Sequence, residues 1–187
     1  MLKGHSISIQ MLVVLLAVAI LAWTRPSQAN TTRAANLPPA VVQNGQPLHQ
    51  IGKGSQSIFG LKVYHVTLWG VHERWSPEEP HALDIESNRS VSSGQLVDAG
   101  AKEMTRLGVG TPQQREVWRA DLQRLMPSVK SGDQLVVYCA PNHKTLFYLN
   151  GNERGEIADP AFGSAFFSIW LDPRTSNPNL RKSLLNH

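Results

Sequence analysis

The stretch "GKGSQSIFGLKVYHVTLWG", Gly52 to Gly70, decides how the chain is interpreted, because it is compatible with two different structures. Its glycine-lysine-glycine-serine start could cradle a phosphate, whereas the alternating apolar residues after it are typical of a strand. A phosphate-binding loop follows an apolar strand, has four residues between its first glycine and its Gly-Lys pair, and leads directly into a helix. This stretch has none of these features. The glycine- and serine-rich run from Gly52 is therefore predicted to be the bend of a β-hairpin, followed by a strand over Leu61 to Trp69.

Strand patterns lie on both sides of two helical patterns in the rest of the chain. Strands are predicted at His81–Arg89, Gln134–Ala140 and Thr145–Leu149, with a short one ending at Ile157. Helices are predicted to begin near Ser92, at Pro112 and at Pro160, and a last short helix is expected in the tail. This order of elements predicts an α+β fold, with helices on one face of an antiparallel sheet rather than a βαβ repeat.

The first residues are predicted to be a secretory signal peptide rather than part of the fold. Lys3 gives a positive start, Met11 to Trp23 is an unbroken apolar run, and Ser27-Gln28-Ala29 has small residues where a signal peptidase cleaves. The run is short for a membrane-spanning helix, and an uncleaved N-terminal anchor is the alternative. We expect a signal peptide over residues 1–29, a flexible segment over 30–47 and one domain over 48–187, in an exported protein.

Composition and motifs argue against several classes of function. The formal net charge is +4, and no Lys/Arg run with interleaved aromatic residues predicts a nucleic-acid partner. Cys139 is the single cysteine, which excludes an internal disulfide, and it lies in the apolar run "QLVVYCA", so we expect it in the core. The histidines have no metal-ligand spacing, and the sequence has no Gly-x-Ser-x-Gly nucleophile elbow. These patterns predict no metal, no cofactor and no recognisable catalytic motif.

The last third of the chain carries an apolar stripe that allows two interpretations. Phe162, Ala165, Phe166, Ile169 and Trp170 recur at helical spacing. Such a helix either packs on a sheet as core or covers an apolar ligand cavity between itself and the sheet. Both structures need the same residues, so the pattern leaves the two alternatives open.

Four short motifs also stand in an order and spacing typical of a known family. They are Lys62-Val63-Tyr64, Gly132-Asp133, Asn150-Gly151 and Phe167-Ser168-Ile169-Trp170-Leu171. Over roughly Leu48 to Leu185, the chain resembles the bacterial exported branch of the chalcone isomerase-like family. The resemblance implies an open-faced β-sandwich, in which a large curved antiparallel sheet carries a helical layer on one face and a ligand cleft between them. It also implies export to the bacterial periplasm.

The chain departs from the family at a residue that matters for ligand chemistry. Plant members close a flavanone ring by cyclising a chalcone, and related members bind fatty acids. In both, the resemblance implies an arginine after the Gly-x-Gly bend that holds the anionic group. Here Gln56 takes that place, Lys53 is the nearest cation, and Tyr64 lies near the position of the plant enzymes' catalytic threonine. Glutamine donates hydrogen bonds but does not neutralise an anion.

Three hypotheses follow from this departure. The first is a non-catalytic exported protein that binds a fatty acid or another apolar small molecule through Lys53, Gln56, Tyr64, Phe166 and Trp170. It contacts a membrane only if its signal segment stays uncleaved. The second is an intramolecular lyase or isomerase that acts on an unknown conjugated substrate, with Tyr64 as the catalytic proton donor or acceptor. The third is a periplasmic structural or interaction module whose cleft is filled by Phe166 and Trp170.

Overall fold

The computed structural model describes residues 37–39, 41, 47–58 and 60–186, and the predicted signal peptide lies outside these ranges. The described chain forms one antiparallel sheet in which each strand pairs with its neighbours in sequence. The strands are β1 (His49–Ile58), β2 (Leu61–Gly70), β3 (His81–Ser87), β4 (Gln134–Cys139), β5 (Thr145–Leu149) and β6 (Asn152–Ile157). With helices over one face, this is the predicted α+β open-faced fold, which is confirmed.

Within residues 47–58 and 60–186, helices occur at two points of the sequence. Two lie between β3 and β4 and two follow β6: α1 (Ser93–Leu107), α2 (Pro112–Leu125), α3 (Pro160–Leu171) and α4 (Pro178–Leu185). Among the described residues, no helix combines the length and the apolar character needed to cross a membrane.

The helices begin where the local sequence predicts. Ser92 and Thr111 each form a capping box with the glutamine three residues later. Asp159 caps α3 through the backbone N–H of Ala161, and Pro160 occupies the first position of that helix. The Asp159 carboxylate also accepts a 2.8 Å hydrogen bond from Trp118 Nε1, which ties the start of α3 to α2.

The bend predicted from Gly52 is wrong, because Gly52 and Gly54 lie inside β1. The chain reverses between Ile58 and Leu61, with Gly60 at a φ of 76°. The two glycines serve close packing: a Cβ at Gly52 would overlap the carbonyl oxygens of Ser183 and Leu184 on α4. A Cβ at Gly54 would come within 2.5 Å of Leu180 Cδ1 on the same helix. The glycines therefore allow α4 to lie directly on β1.

Strand alternation gives the sheet two different faces. The helical face carries the main core, which includes Leu68, Leu83, Val137 and Phe147 and also the free, buried Cys139, whose core position is confirmed. On the open face a second cluster contains Leu48, Trp69, Ala82, Val136, Tyr138 and Tyr148, together with Leu37 and Val41 of the N-terminal segment. Most of residues 30–47 lie outside the described ranges, so their flexibility stays a prediction.

Candidate functional site

A cavity of about 330 Å³ lies between the sheet and the helices. Its walls are mainly apolar and come from β3, α1, β4 and α3: Ile85, Leu96, Leu135, Phe166, Ile169 and Trp170. Gly100 of α1 also lines it, and a Cβ built there would meet only Ile169 Cδ1, at 3.8 Å. The missing side chain on α1 therefore contributes to the open space.

Tyr64 on β2 carries a polar group into this apolar wall. Trp170 Nε1 donates a 3.0 Å hydrogen bond to the Tyr64 hydroxyl oxygen. Burial raises the pKa of Tyr64, and the hydrogen bond from Trp170 only partly opposes that rise. The hydroxyl thus keeps its proton at physiological pH. Within the described chain its oxygen accepts from Trp170, and its O–H has no acceptor.

Gln56 lines the cavity, and its amide is bonded within the protein. Its Oε1 accepts a short hydrogen bond from Asn177 Nδ2, and its Nε2 donates to the Ser57 carbonyl at 3.2 Å. Asn177 in turn caps α4 by accepting from the Leu180 N–H. The amide that stands in place of the family's arginine is therefore committed to joining β1 and α4.

Lys53 is not brought together with the other predicted site residues. It is exposed on β1 opposite Thr67 and does not line the cavity. Because side chains alternate along a strand, Gly52, Gly54 and Gln56 share the helical face and Lys53 lies on the open face. The structure groups Gln56, Tyr64, Phe166 and Trp170 and leaves Lys53 on the other side of the sheet.

Glu103 on α1 is a lining residue that the sequence analysis missed. Its carboxylate accepts from Arg106 Nε at 2.9 Å and Nη2 at 2.7 Å, and from the Ser176 N–H at 3.0 Å. These hydrogen bonds, above all the one from Arg106, lower the pKa of Glu103 to about 2, so it is ionised. In the sequence, Glu103 and Arg106 are an oppositely charged pair at positions i and i+3 of a helix, and such a pair usually lies on the surface.

The apolar stripe of α3 combines the two interpretations that its sequence left open. Phe162 at the start of the helix is fully buried against Trp118 and Phe147, with ring centroids 5.8 Å and 6.2 Å away. Phe166 and Trp170, one and two turns later, border the cavity with ring centroids 5.5 Å apart. The first half of the stripe is core and the second half is cavity wall.

A second concave site of about 280 Å³ lies on the open face and is polar. It is lined by His65, Thr67, Asp84, Glu86, Gly132 and Gln134. Burial raises the pKa of Asp84 to about 6, although Gln134 Nε2 donates a 2.9 Å hydrogen bond to its carboxylate. In the part of the chain that the structure describes, no group of three or more His, Cys, Asp or Glu side chains is arranged to hold a metal ion.

Comparisons with known proteins agree with this architecture. A family model described as chalcone isomerase-like matches residues 29–186. Comparison with curated protein sequences gave no significant match. The crystal structure of a fatty-acid binding protein from Arabidopsis thaliana is similar with a TM-score of 0.62 and 11% sequence identity, over 76% of this chain and 88% of that one. At this identity the similarity is one of fold.

Proposed function

The chain belongs to the chalcone isomerase-like family, and we propose that it is a non-catalytic member that binds a small apolar molecule in the cavity between sheet and helices. The observation that carries the proposal is the open cavity of about 330 Å³ with aromatic and aliphatic walls. Ligand pockets in proteins span roughly 300–1,000 Å³ and have this apolar character with a few polar groups. The fatty-acid binding protein with a similar fold supports a ligand that carries an apolar chain.

The titratable groups of the cavity favour binding over catalysis. A general acid or base works best when its pKa lies near the working pH. Tyr64 has a raised pKa, and the pKa of Glu103 is lowered to about 2. Neither group, among the lining residues that the structure describes, exchanges a proton readily near neutral pH. This argues against the lyase or isomerase hypothesis that assigned proton transfer to Tyr64.

The open cavity also argues against the hypothesis of a filled cleft. Phe166 and Trp170 were the side chains expected to fill it, and both stand at its wall. A structural module would have no need to keep apolar walls apart, because voids in a protein core cost stability.

A cavity-filling variant tests the proposal. Gly100→Leu is expected to place its side chain in the cavity and lower affinity for N-phenylnaphthylamine, an uncharged fluorescent probe, by at least roughly tenfold. Gly94→Leu is the matched control, since it adds the same side chain to an exposed position of the same helix with no atom within 4 Å of its Cβ. We expect the control to bind as the wild type does. Equal binding by both variants, or no probe uptake by the wild type, would contradict a ligand site in this cavity.

We further propose, from the first 29 residues alone, that the protein is exported to the periplasm. Cell fractionation and N-terminal sequencing of the purified protein test this, with a mature chain that begins at Asn30 as the expected result. A cytoplasmic protein with an intact N-terminus would contradict export, and a membrane-bound protein with an intact N-terminus would favour the uncleaved anchor.

A further inference from the structure

We propose that the cavity selects a ligand whose head group is an uncharged oxygen, as in a long-chain alcohol or ester, and that it discriminates against free carboxylates. The oxygen accepts a hydrogen bond from Tyr64, and Glu103 repels an anionic head group. The inference rests on the proposed function and specifies the class of ligand for the same site.

The first step concerns which polar groups remain for a ligand. Gln56 and Asn177 bond to each other, and Thr175 Oγ1 donates to the Ile169 carbonyl at 2.6 Å. Each of these side chains is therefore held by a partner within the protein. Tyr64 differs, because its oxygen already accepts from Trp170 and its proton is left to donate. A ligand that places an acceptor oxygen at Tyr64 completes the hydrogen bonding of a nearly buried hydroxyl.

The second step concerns the charge at the cavity. Glu103 lines it with a side chain that is 14% exposed, so its negative charge is only partly screened by water. Arg106 already balances the charge of Glu103, so a bound carboxylate would be a second negative charge beside a single cation in a mainly apolar site, which is unfavourable. An alcohol or ester oxygen avoids that repulsion.

The third step concerns the cations that could offset this repulsion. Arg106 is engaged by both Glu103 oxygens and by the Arg174 carbonyl, at 2.5 Å. Arg174 is itself held by the Asp172 carboxylate, with contacts of 3.0 Å and 2.8 Å. Lys53 lies on the open face of the sheet. Arg106 and Arg174 are thus held by partners within the protein, and Gln56 occupies the place where the family resemblance implies an arginine.

Two compounds that differ only in the head group test the inference. Decanol and decanoic acid are compared at pH 7 by displacement of N-phenylnaphthylamine from the wild-type protein. We expect decanol to bind at least roughly tenfold more tightly than decanoic acid. Glu103→Gln should reduce that ratio of affinities to about threefold or less, because it raises the affinity for decanoic acid and leaves the affinity for decanol unchanged. Asp98→Asn, which removes a carboxylate from the same helix outside the cavity, should leave the ratio unchanged.

Tyr64→Phe tests the hydrogen bond to the oxygen. Its affinity for decanol should fall by roughly threefold to tenfold, which is the range for one neutral hydrogen bond. Affinity for N-phenylnaphthylamine, which has no oxygen, should fall less than affinity for decanol, and an unchanged midpoint of thermal unfolding would distinguish loss of the donor from a general loss of structure.

Different failures overturn different claims. The head-group inference is wrong if the wild type binds decanoic acid as tightly as decanol. It is also wrong if the acid binds tightly and Arg106→Gln abolishes that binding, because Arg106 would then leave Glu103 and bind the ligand carboxylate. An unchanged decanol affinity in Tyr64→Phe would also overturn it. If neither the probe nor either decyl compound binds, the proposed function itself fails.

Discussion

The cavity under the helices and the pocket on the open face share the same three strands and have opposite chemistry. Tyr64 and His65, Ile85 and Glu86, and Leu135 and Gln134 are consecutive pairs, and in each pair one residue lines each site. The volumes are similar, about 330 Å³ and about 280 Å³. The difference comes from the period-two alternation of a strand, combined with a helical layer on only one face.

The comparison shows why polar groups are few and individually partnered in one site and make up most of the other. Under α1 and α3 a polar group loses water, so the few present are held by specific partners, such as Trp170 for Tyr64. On the open face Glu86 is exposed and the pocket is polar. Burial of the other carboxylate there, Asp84, is reflected in its raised pKa of about 6.

The largest expected difference between the sites is in folding stability. Leu135→Ala removes a buried side chain from the helical face and should lower the free energy of unfolding by about 2–5 kcal/mol. Gln134→Ala, one residue earlier, loses its hydrogen bond to Asp84 on the open face and should cost about 1 kcal/mol. Urea denaturation measures both. Equal losses would show that the open face is as tightly packed as the helical face.

A pH-dependent effect of intermediate size is expected at Asp84. Its folded pKa of about 6 lies above its ordinary value, so between about pH 4 and 6 the folded protein holds a proton that the unfolded chain has released. The free energy of unfolding therefore falls as pH rises through this window. Above the window, the folded protein bears the full cost of a buried, ionised carboxylate. Asp84→Asn avoids that cost and should be more stable than the wild type at pH 8, by on the order of 2 kcal/mol, with no gain below pH 4.

The Asp84 measurement must be read as a difference between variant and wild type. Burial lowers the pKa of His81, and a histidine buried in its neutral form makes stability rise with pH in an overlapping range. That contribution is common to both proteins and cancels. Asp98→Asn, at an exposed carboxylate of α1, is the control for the effect of replacing an aspartate by an asparagine. A gain in Asp84→Asn that is independent of pH would contradict the assigned cause.

The smallest expected effects come from one glycine in each site, and their signs differ. Gly100→Ala should stabilise the protein by about 0.5–1 kcal/mol, because it lies inside a helix and its Cβ meets nothing closer than 3.8 Å. Gly132→Ala should destabilise it by about 1 kcal/mol, because Gly132 has a φ of 87°, which costs a residue with a Cβ. Thermal unfolding of the two variants would settle the signs, and a shift in the same direction for both would refute this reasoning.

Local features of the sequence predicted the architecture well. Asp159 with Pro160, and Thr111 with Pro112, mark helix starts through chemistry within three residues, and the strands show their alternation directly. The order of these elements then predicted the fold class, and the family resemblance specified it further.

The site was less predictable, because its determinants lie far apart in the sequence. Gly52 and Gly54 resemble turn glycines until α4, more than a hundred residues later, is known to lie on them. When Gly52 and Gly54 are interpreted as a bend, the alternation of side chains along a strand is not applied to this segment. The position of Lys53 on the open face is then not predicted. Glu103 likewise looks like half of a surface ion pair until α3 and the Thr175–Asn177 loop enclose it.

The contact between β1 and α4 has a consequence for how the chain folds during synthesis. The hydrogen bond between Gln56 and Asn177 joins positions 121 residues apart, and α4 packs on an edge strand of the sheet. β1 is synthesised before α4, so a nascent chain presents the glycine-containing helical face of this edge strand without its cover until α4 has emerged. Truncation just before Asn177 should therefore yield a chain that self-associates through the uncovered face of β1, which size-exclusion chromatography would detect.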